Sequence, residues 1–295
     1  MVKIFFIMPK YIFLLLTFPL CSIFAKSSVW RVSKEDQSFY IGGTCHILRS
    51  SDYPLPVEFE YAYLNSETLI FEIDPLTTSS DRFTTQLLRA TSYHDNRSLK
   101  KVLTRKNFNA LKEKCEQNGL SIKVLKKTKP SMVIMMLLVK ELSEIDAIEE
   151  GLDVYFQKRA LSDRKKILSL ETAEFQIGLL ASMDEDIENK MVAHGLKDIE
   201  NLKIHFDNLV NTWREGDLRS IDDLFVKRVR EYPELYKRLI SSRNRDWIKR
   251  IEAFSNTQES KFFLVGIAHL AGEEGLISLL QKKGYTIEQV GSRFW

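Results

Sequence analysis

Cysteine is scarce in this 295-residue chain, and no apolar run is long enough to cross a bilayer. The three cysteines, Cys21, Cys45 and Cys115, are too few for a disulfide framework, although an oxidising compartment would permit one bridge between Cys45 and Cys115. The apolar stretch from Met132 to Val139 is eight residues long, which predicts a buried helix rather than a membrane span. A dominant charge is missing too: 43 Lys and Arg face 40 Asp and Glu, a formal +3. The basic clusters KVLTRK and KVLKKTK are short and set among acids, which argues against a nucleic-acid partner. There is no Gly-x-Ser-x-Gly, phosphate loop, dinucleotide fingerprint or His-Glu-x-x-His.

What is present begins with a distinct first segment. Lys3 and Lys10 precede the apolar run YIFLLLTFPL, and CSIFA leads into polar KSS. This predicts a secretory signal over residues 1–25, with cleavage after Ala25, a single domain over residues 26–295 and a periplasmic destination. The alternative is membrane anchoring through residues 1–25; lipid attachment at Cys21 lacks the small residue expected just before it. Removing two lysines takes the formal charge from +3 to +1, so the mature chain is nearly neutral and has no stable membrane span.

Strand patterns open and close the mature chain. SSVWRVSK and QSFYIGGTCHI flank the short connection EDQ, which predicts a hairpin. SETLIFEID alternates Leu69, Phe71 and Ile73 with Ile70, Glu72 and Asp74, placing both acids on one face near the strand's carboxyl end. From about residue 80 to residue 250 helical patterns dominate, with Gly119 and Gly216 as stops. KFFLVGIAHL, a helix ending at Gly284, and YTIEQV then restore β–helix–β order. The expected fold is α/β (α+β): a central mixed sheet built from N- and C-terminal strands, flanked by helices, with a large helical insertion between them.

Only five histidines occur, and two repeat one pattern: IGGTCHIL at residues 41–48 and VGIAHL at 265–270 both set a Gly three residues before a His. Glycine allows close approach of backbone or ligand, and a strand ending there delivers His46 or His269 to the carboxyl edge of a sheet. Glu72 reaches the same edge from a third strand. Two imidazoles and a carboxylate suit a divalent metal whose bound water is the nucleophile. The alternative is that both histidines are packed and hydrogen-bonded, with Glu72 capping the following helix. His269 enters a cleft only if its strand ends or bends by about Gly266. Cys45 is expected on the face opposite His46 and so outside the site. His94, His194 and His205 read as surface or partly exposed helix residues.

These residues carry a resemblance. FYIGGTCHIL with LNSETLIFEID, and KFFLVGIAHLAGEEGLISLLQKKGYTIEQV, resemble the opening and closing signatures of the TraB/GumN/PrgY family. EEGLDVYFQKRA, SLETAEFQ, WREGD and LISSRNRDWIKRIE agree between them, so the resemblance spans roughly residues 29–290. Cys45 stands where an aliphatic residue is more usual. The family is similar to the Tiki metalloproteases and, more distantly, to erythromycin-esterase-like and haem-uptake (ChaN-like) proteins. The resemblance implies an exported peptidase-like hydrolase using Mn, Co or Zn, with His46, Glu72 and His269 at the metal. Glu72 is either ligand or base. It also implies site roles for Glu171, Arg243 and Asn244, within a block that includes Glu174 and Gln176: Arg243 would stabilise an oxyanion and Asn244 would orient a substrate carbonyl. The alternative for Glu171 and Arg243 is a purely structural pair. The other function is a non-enzymatic protein that holds a peptide or small ligand in the same cleft; for a haem carrier, spacing reveals no axial pair.

Overall fold

The computed structural model describes residues 26–291; the proposed signal segment lies outside them. Among the described residues eight strands occur: β1 (Lys26–Lys34), β2 (Gln37–Thr44), β3 (Ile47–Leu48), β4 (Thr68–Phe71), β5 (Glu149–Glu150), β6 (Lys166–Ser169), β7 (Lys261–Gly266) and β8 (Thr286–Gly291). Six of them form one mixed sheet in the order β6-β4-β7-β2-β1-β8, and β3 pairs with β5 in a separate two-stranded piece. Strands β6, β4, β7 and β2 run parallel, while β1 is antiparallel to both β2 and β8. The expected union of N- and C-terminal strands is therefore observed. One strand of the mainly helical insertion, β6, also joins the sheet at its edge.

Local chemistry accounts for the elements. The β1–β2 hairpin turns at Glu35 and Asp36, with Lys34 opposite Gln37. Strand β7 has no exposed position, as expected for a parallel strand covered on both faces. Its neighbours in sequence face opposite ways. Phe262 lies 6.3 Å from the ring of Phe59, on the helix Val57–Leu64, and 6.1 Å from that of Phe156, on the helix Leu152–Ser162. Phe263 meets Phe39 edge-on at 5.2 Å.

The insertion has a second core of its own, in which Leu111, Cys115, Val133, Leu137 and Val192 come together. Three of its helices start on side-chain caps: Thr104 before Arg105–Gln117, Thr172 before Ala173–Ala181 and Asp184 before Glu185–Glu200, whereas Pro130–Ser143 starts on a proline. The helix Leu202–Glu215 returns to the sheet, where Trp213 Nε1–H donates to the Gly43 carbonyl at 2.7 Å. Gly216 ends that helix at φ 64°, a left-handed position that glycine adopts without steric cost. Two π-helical turns follow, Asp222–Val226 and Lys237–Ser241, and the second runs directly into the helix Ser242–Ser255. Cys45 and Cys115 are both free and buried, one in each core, so the permitted bridge does not form.

Candidate active site

The four neighbouring parallel strands release their chains at one edge. Just beyond β2 comes His46, beyond β4 Glu72, beyond β6 Glu171 and beyond β7 His269. Ligands of open α/β sheets bind beyond the carboxyl ends of their strands.

The two Gly-x-x-His elements fit into one another. Strands β2 and β7 pair so that Thr44 lies opposite Gly266. A Cβ on Gly43 would stand 2.2 Å from Ile267 Cδ1, so the glycine of the first element makes room for the second. A Cβ on Gly266 would lie 3.2 Å from Glu72 Oε1, 3.3 Å from His46 Nε2 and 3.8 Å from His269 Cδ2. The missing methyl is a cradle on which residues from three strand ends converge. Strand β7 stops at Gly266 and residues Ile267–His269 form a 3-10 turn, the break that turns His269 out of the strand row.

Glu72 is buried and fully engaged. Its Oε1 accepts the Gly266 N–H at 2.7 Å and its Oε2 accepts Arg243 Nη2 at 2.6 Å. Burial works against its charge, but the facing His269, Arg243 and His46 and the Gly266 amide hold the carboxyl down at about 2. Arg243 spends its other donors on Glu171, at 2.8 and 2.9 Å, on the Leu239 carbonyl and on His269 Nε2 at 2.9 Å. Glu171 also accepts Trp247 Nε1–H at 2.8 Å. The expected Glu171–Arg243 pair is thus part of a larger buried network.

His269 is buried with both nitrogens in use. Nδ1 pairs with Asn244 Oδ1 at 2.7 Å while Nε2 faces the Arg243 donor, which fixes a neutral ring with its proton on Nδ1. Burial, reinforced by Arg243, pushes its pKa down to about 3. Asn244 is also buried, and its amide donates to the carbonyls of His269 and Glu274. It braces the His269 turn, and its polar atoms are not offered to the cleft.

His46 is the opposite case, with 64% of its side chain exposed. Its Nδ1 pairs with Asp153 Oδ2 at 2.8 Å, and Thr44 Oγ1 holds the other Asp153 oxygen at 3.1 Å. The Asp153 carboxylate raises the imidazole pKa above its ordinary value. Sequence reasoning missed Asp153, although it lies in the EEGLDVYFQKRA block. The usable signal there is Gly151: a Cβ on it would stand 2.3 Å from the Cys45 and His46 carbonyl groups, so the helix carrying Asp153 can begin against the His46 backbone.

Among the other expected residues, Asp74 leaves the site: it caps the helix Pro75–Thr78 by accepting the Leu76 N–H at 3.1 Å. Cys45 does line the cleft beside His46, because β2 has ended at Thr44 and strand alternation no longer applies. Its thiol pKa is pushed well up by burial, with Asp153 and Asp52 adding to the effect, so a Cys/His nucleophile remains excluded. His205 lines the far side of the same cleft, which has a volume of about 520 Å³.

The donor chemistry can be tested against a divalent cation. Two carboxylates, Glu72 and Glu171, share the single guanidinium of Arg243, leaving negative charge for a cation to balance, while a third, Asp153, pairs with His46. His46 Nε2 and Glu72 Oε1 converge on the Gly266 cradle, with the His46 tautomer set by Asp153 as a second-layer carboxylate sets it in metal sites. Those two positions fit. His269 turns a ring carbon to the cradle and its Nε2 to Arg243, and among the described residues no three His, Cys, Asp or Glu side chains are grouped to hold an ion.

The fold and site define an α/β protein with paired Gly-x-x-His elements around a strand-end cleft. Residues 28–289 match the TraB/PrgY/gumN family, to which the chain belongs. It is similar to a protein named Metalloprotease TIKI homolog from Nematostella vectensis, 23% identical across 90% of this chain and 67% of that one. It is also similar to Metalloprotease TIKI1 from Danio rerio, 24% identical across 89% of this chain and 63% of that one. The chain thus spans about two thirds of the length of these relatives. No solved structure matches it. Among the described residues, no helix is long and apolar enough to cross a membrane.

Proposed function

We propose that this protein is an exported, divalent-metal-dependent hydrolase of peptide-type bonds, acting as one domain over residues 26–295. The convergence of His46 Nε2 and Glu72 Oε1 above Gly266, at the strand-end mouth of a cleft, carries this reading. The relatives named as metalloproteases support it. His46 and Glu72 would hold the cation (Mn, Co or Zn), joined by His269 if Arg243 released Nε2. Such an ion, when bound, polarises a carbonyl and brings a water nucleophile to neutral pH.

The side chains divide the remaining work. Glu72, held at about 2 between Arg243 and the Gly266 amide, is a fixed negative charge at neutral pH and a poor proton acceptor. His46 reaches solvent, and Asp153 accepts its Nδ1 proton, which leaves the Nε2 lone pair free to hold the cation at the cleft mouth. Arg243 and Asn244 position Glu72 and His269 from behind.

Elemental analysis of the purified full-length chain, beside mass spectrometry of a peptide mixture incubated with it, tests this function. One bound divalent ion per chain and cleavage abolished by Glu72→Gln are expected. Failure to take up Mn, Co or Zn, with no cleavage, would overturn it. An N-terminus near Lys26 on exported protein tests the signal, and an intact Met1 would reject it. One observation favours a second reading, a non-enzymatic peptide or small-ligand binder: Arg243 occupies His269 Nε2. Saturable peptide binding without turnover in the presence of metal would select it.

A further inference from the structure

The cleft has two unlike sides. Every lining residue that bears a formal charge or engages in the buried network (His46, Glu72, Arg243, His269) comes from the strand-end side or from the helix behind it. The facing wall is apolar, made by Leu138 and Leu142 of the helix Pro130–Ser143, Phe206 and Leu209 of the helix Leu202–Glu215, and Phe225 of the first π-helical turn. His205 is the titratable group on that wall. Three elements far apart in sequence therefore bring large apolar side chains to one opening beside the Gly266 cradle.

Leu138, Leu209 and Phe225 are only partly buried, so the wall keeps apolar surface in contact with water. Apolar surface that lines a concavity and meets a few convergent polar groups is the usual composition of a ligand site, and 520 Å³ falls within the roughly 300–1,000 Å³ of such sites. The apolar wall runs on to Leu138 and Phe225, which also line a neighbouring cleft whose lining includes the charged Lys190, Asp198 and Arg228. An occupant must be bulky and apolar close to the Gly266 cradle, and short. A large aliphatic or aromatic side chain meets those terms better than a long acyl chain.

Building on the hydrolase reading, we infer that this wall is a substrate subsite that accepts one bulky apolar side chain (Leu, Ile, Met or Phe) next to the bond at the Gly266 cradle. The substrate class is then a peptide selected by a large apolar residue, with acidic, basic and small residues disfavoured at that position.

The test uses the purified full-length chain and capped hexapeptides that differ only at one central residue: Leu, Phe, Ala, Asp or Lys. Affinity is measured by calorimetry on the Glu72→Gln protein, and cleavage by mass spectrometry on the wild type. Dodecanoate serves as the acyl-chain probe. The Leu and Phe peptides should bind at least about tenfold more tightly than the Ala, Asp and Lys peptides. Leu209→Arg, on a partly buried position, should erase that preference and favour the Asp peptide while the melting temperature holds. Leu209→Met, a near-isosteric change, should keep the preference. Binding with this order but no cleavage would sink the hydrolase reading and leave the subsite standing. Cleavage without preference at the central residue would do the reverse. Equal or undetectable binding of all peptides, or dodecanoate binding more tightly than any of them, would overturn the subsite.

Discussion

Gly266 lies directly beneath His46: a Cβ built on the glycine would stand 3.3 Å from His46 Nε2, although the two residues belong to opposite ends of the chain. The same added atom would sit 3.2 Å from Glu72 Oε1. Both contacts are tight but within reach of small adjustments. Gly266→Ala should therefore leave the melting temperature within a few degrees of wild type while lowering metal content and turnover by about tenfold or more, the scale of a disturbed ligand environment. Unchanged metal content and turnover would show that nothing binds in the cradle.

The partner glycine should behave differently. A Cβ on Gly43 would overlap Ile267 Cδ1 at 2.2 Å and approach its Cα at 3.2 Å. Gly43→Ala should destabilise by about 1–3 kcal/mol through overpacking. Ile267→Ala, costly alone, should recover part of that loss in the double variant. Urea unfolding of the four proteins measures the coupling, and strict additivity would argue against the interlocked register.

Arg243 is the counter-charge for two buried carboxylates, Glu72 and Glu171. Arg243→Met should cost about 3–5 kcal/mol, because both acids lose their partner in a dry setting. Adding Glu171→Gln should restore part of the stability by removing one stranded charge. If Arg243→Met unfolds at the wild-type denaturant concentration, the network has no structural weight.

His269 and Asn244 should act as a unit. His269→Ala removes two buried hydrogen bonds and should destabilise by about 1–3 kcal/mol as well as lower turnover. Asn244→Ala frees the ring and its turn and should reproduce much of both effects. The double variant should be barely worse than the worse single one, as read from a thermal double-mutant cycle. A metal-loaded, fully active but destabilised His269→Ala protein would reduce His269 to a packed histidine.

A pH effect is expected far from the cleft. Glu188 is buried; Tyr93 OH donates to its Oε2 at 2.7 Å, and its Oε1 has no hydrogen-bond partner among the described residues. Burial pushes this carboxyl upward. The protonated form is then favoured by folding, so its contribution is complete below the unfolded value of about 4.3 and is lost as pH rises through the higher folded value. Glu188→Gln should match wild type near pH 4 and exceed it by about 1 kcal/mol at pH 7 in urea unfolding. A constant difference across that range would contradict the shift.

Strand and helix assignments were legible because they depend on local pattern. KFFLVG is apolar at nearly every position, as a strand buried on both faces must be, and TLIF ends one residue before its acid. The two Gly-x-x-His elements were visible as well, since glycine before histidine at a strand end is a local device. Spacing along the chain says nothing, however, about which strands become neighbours. The β2–β7 register is set by packing across more than two hundred residues of intervening chain, and only that register makes Gly43 serve Ile267 and Gly266 serve His46.

Side-chain partners lay beyond the sequence for the same reason. Asp153 belongs to a helix whose outward pattern looks like any solvated first turn, and only its docking through Gly151 puts it on His46. Glu72 and Asp74 share one alternation pattern, but the chain leaves the strand after Phe71, so one acid enters the network and the other caps a helix. The sequence by itself determined the strands, the strand-end histidines and the family they belong to. Tertiary structure alone decided that His46 is exposed and His269 buried, because burial and pairing depend on which distant surfaces close over each ring.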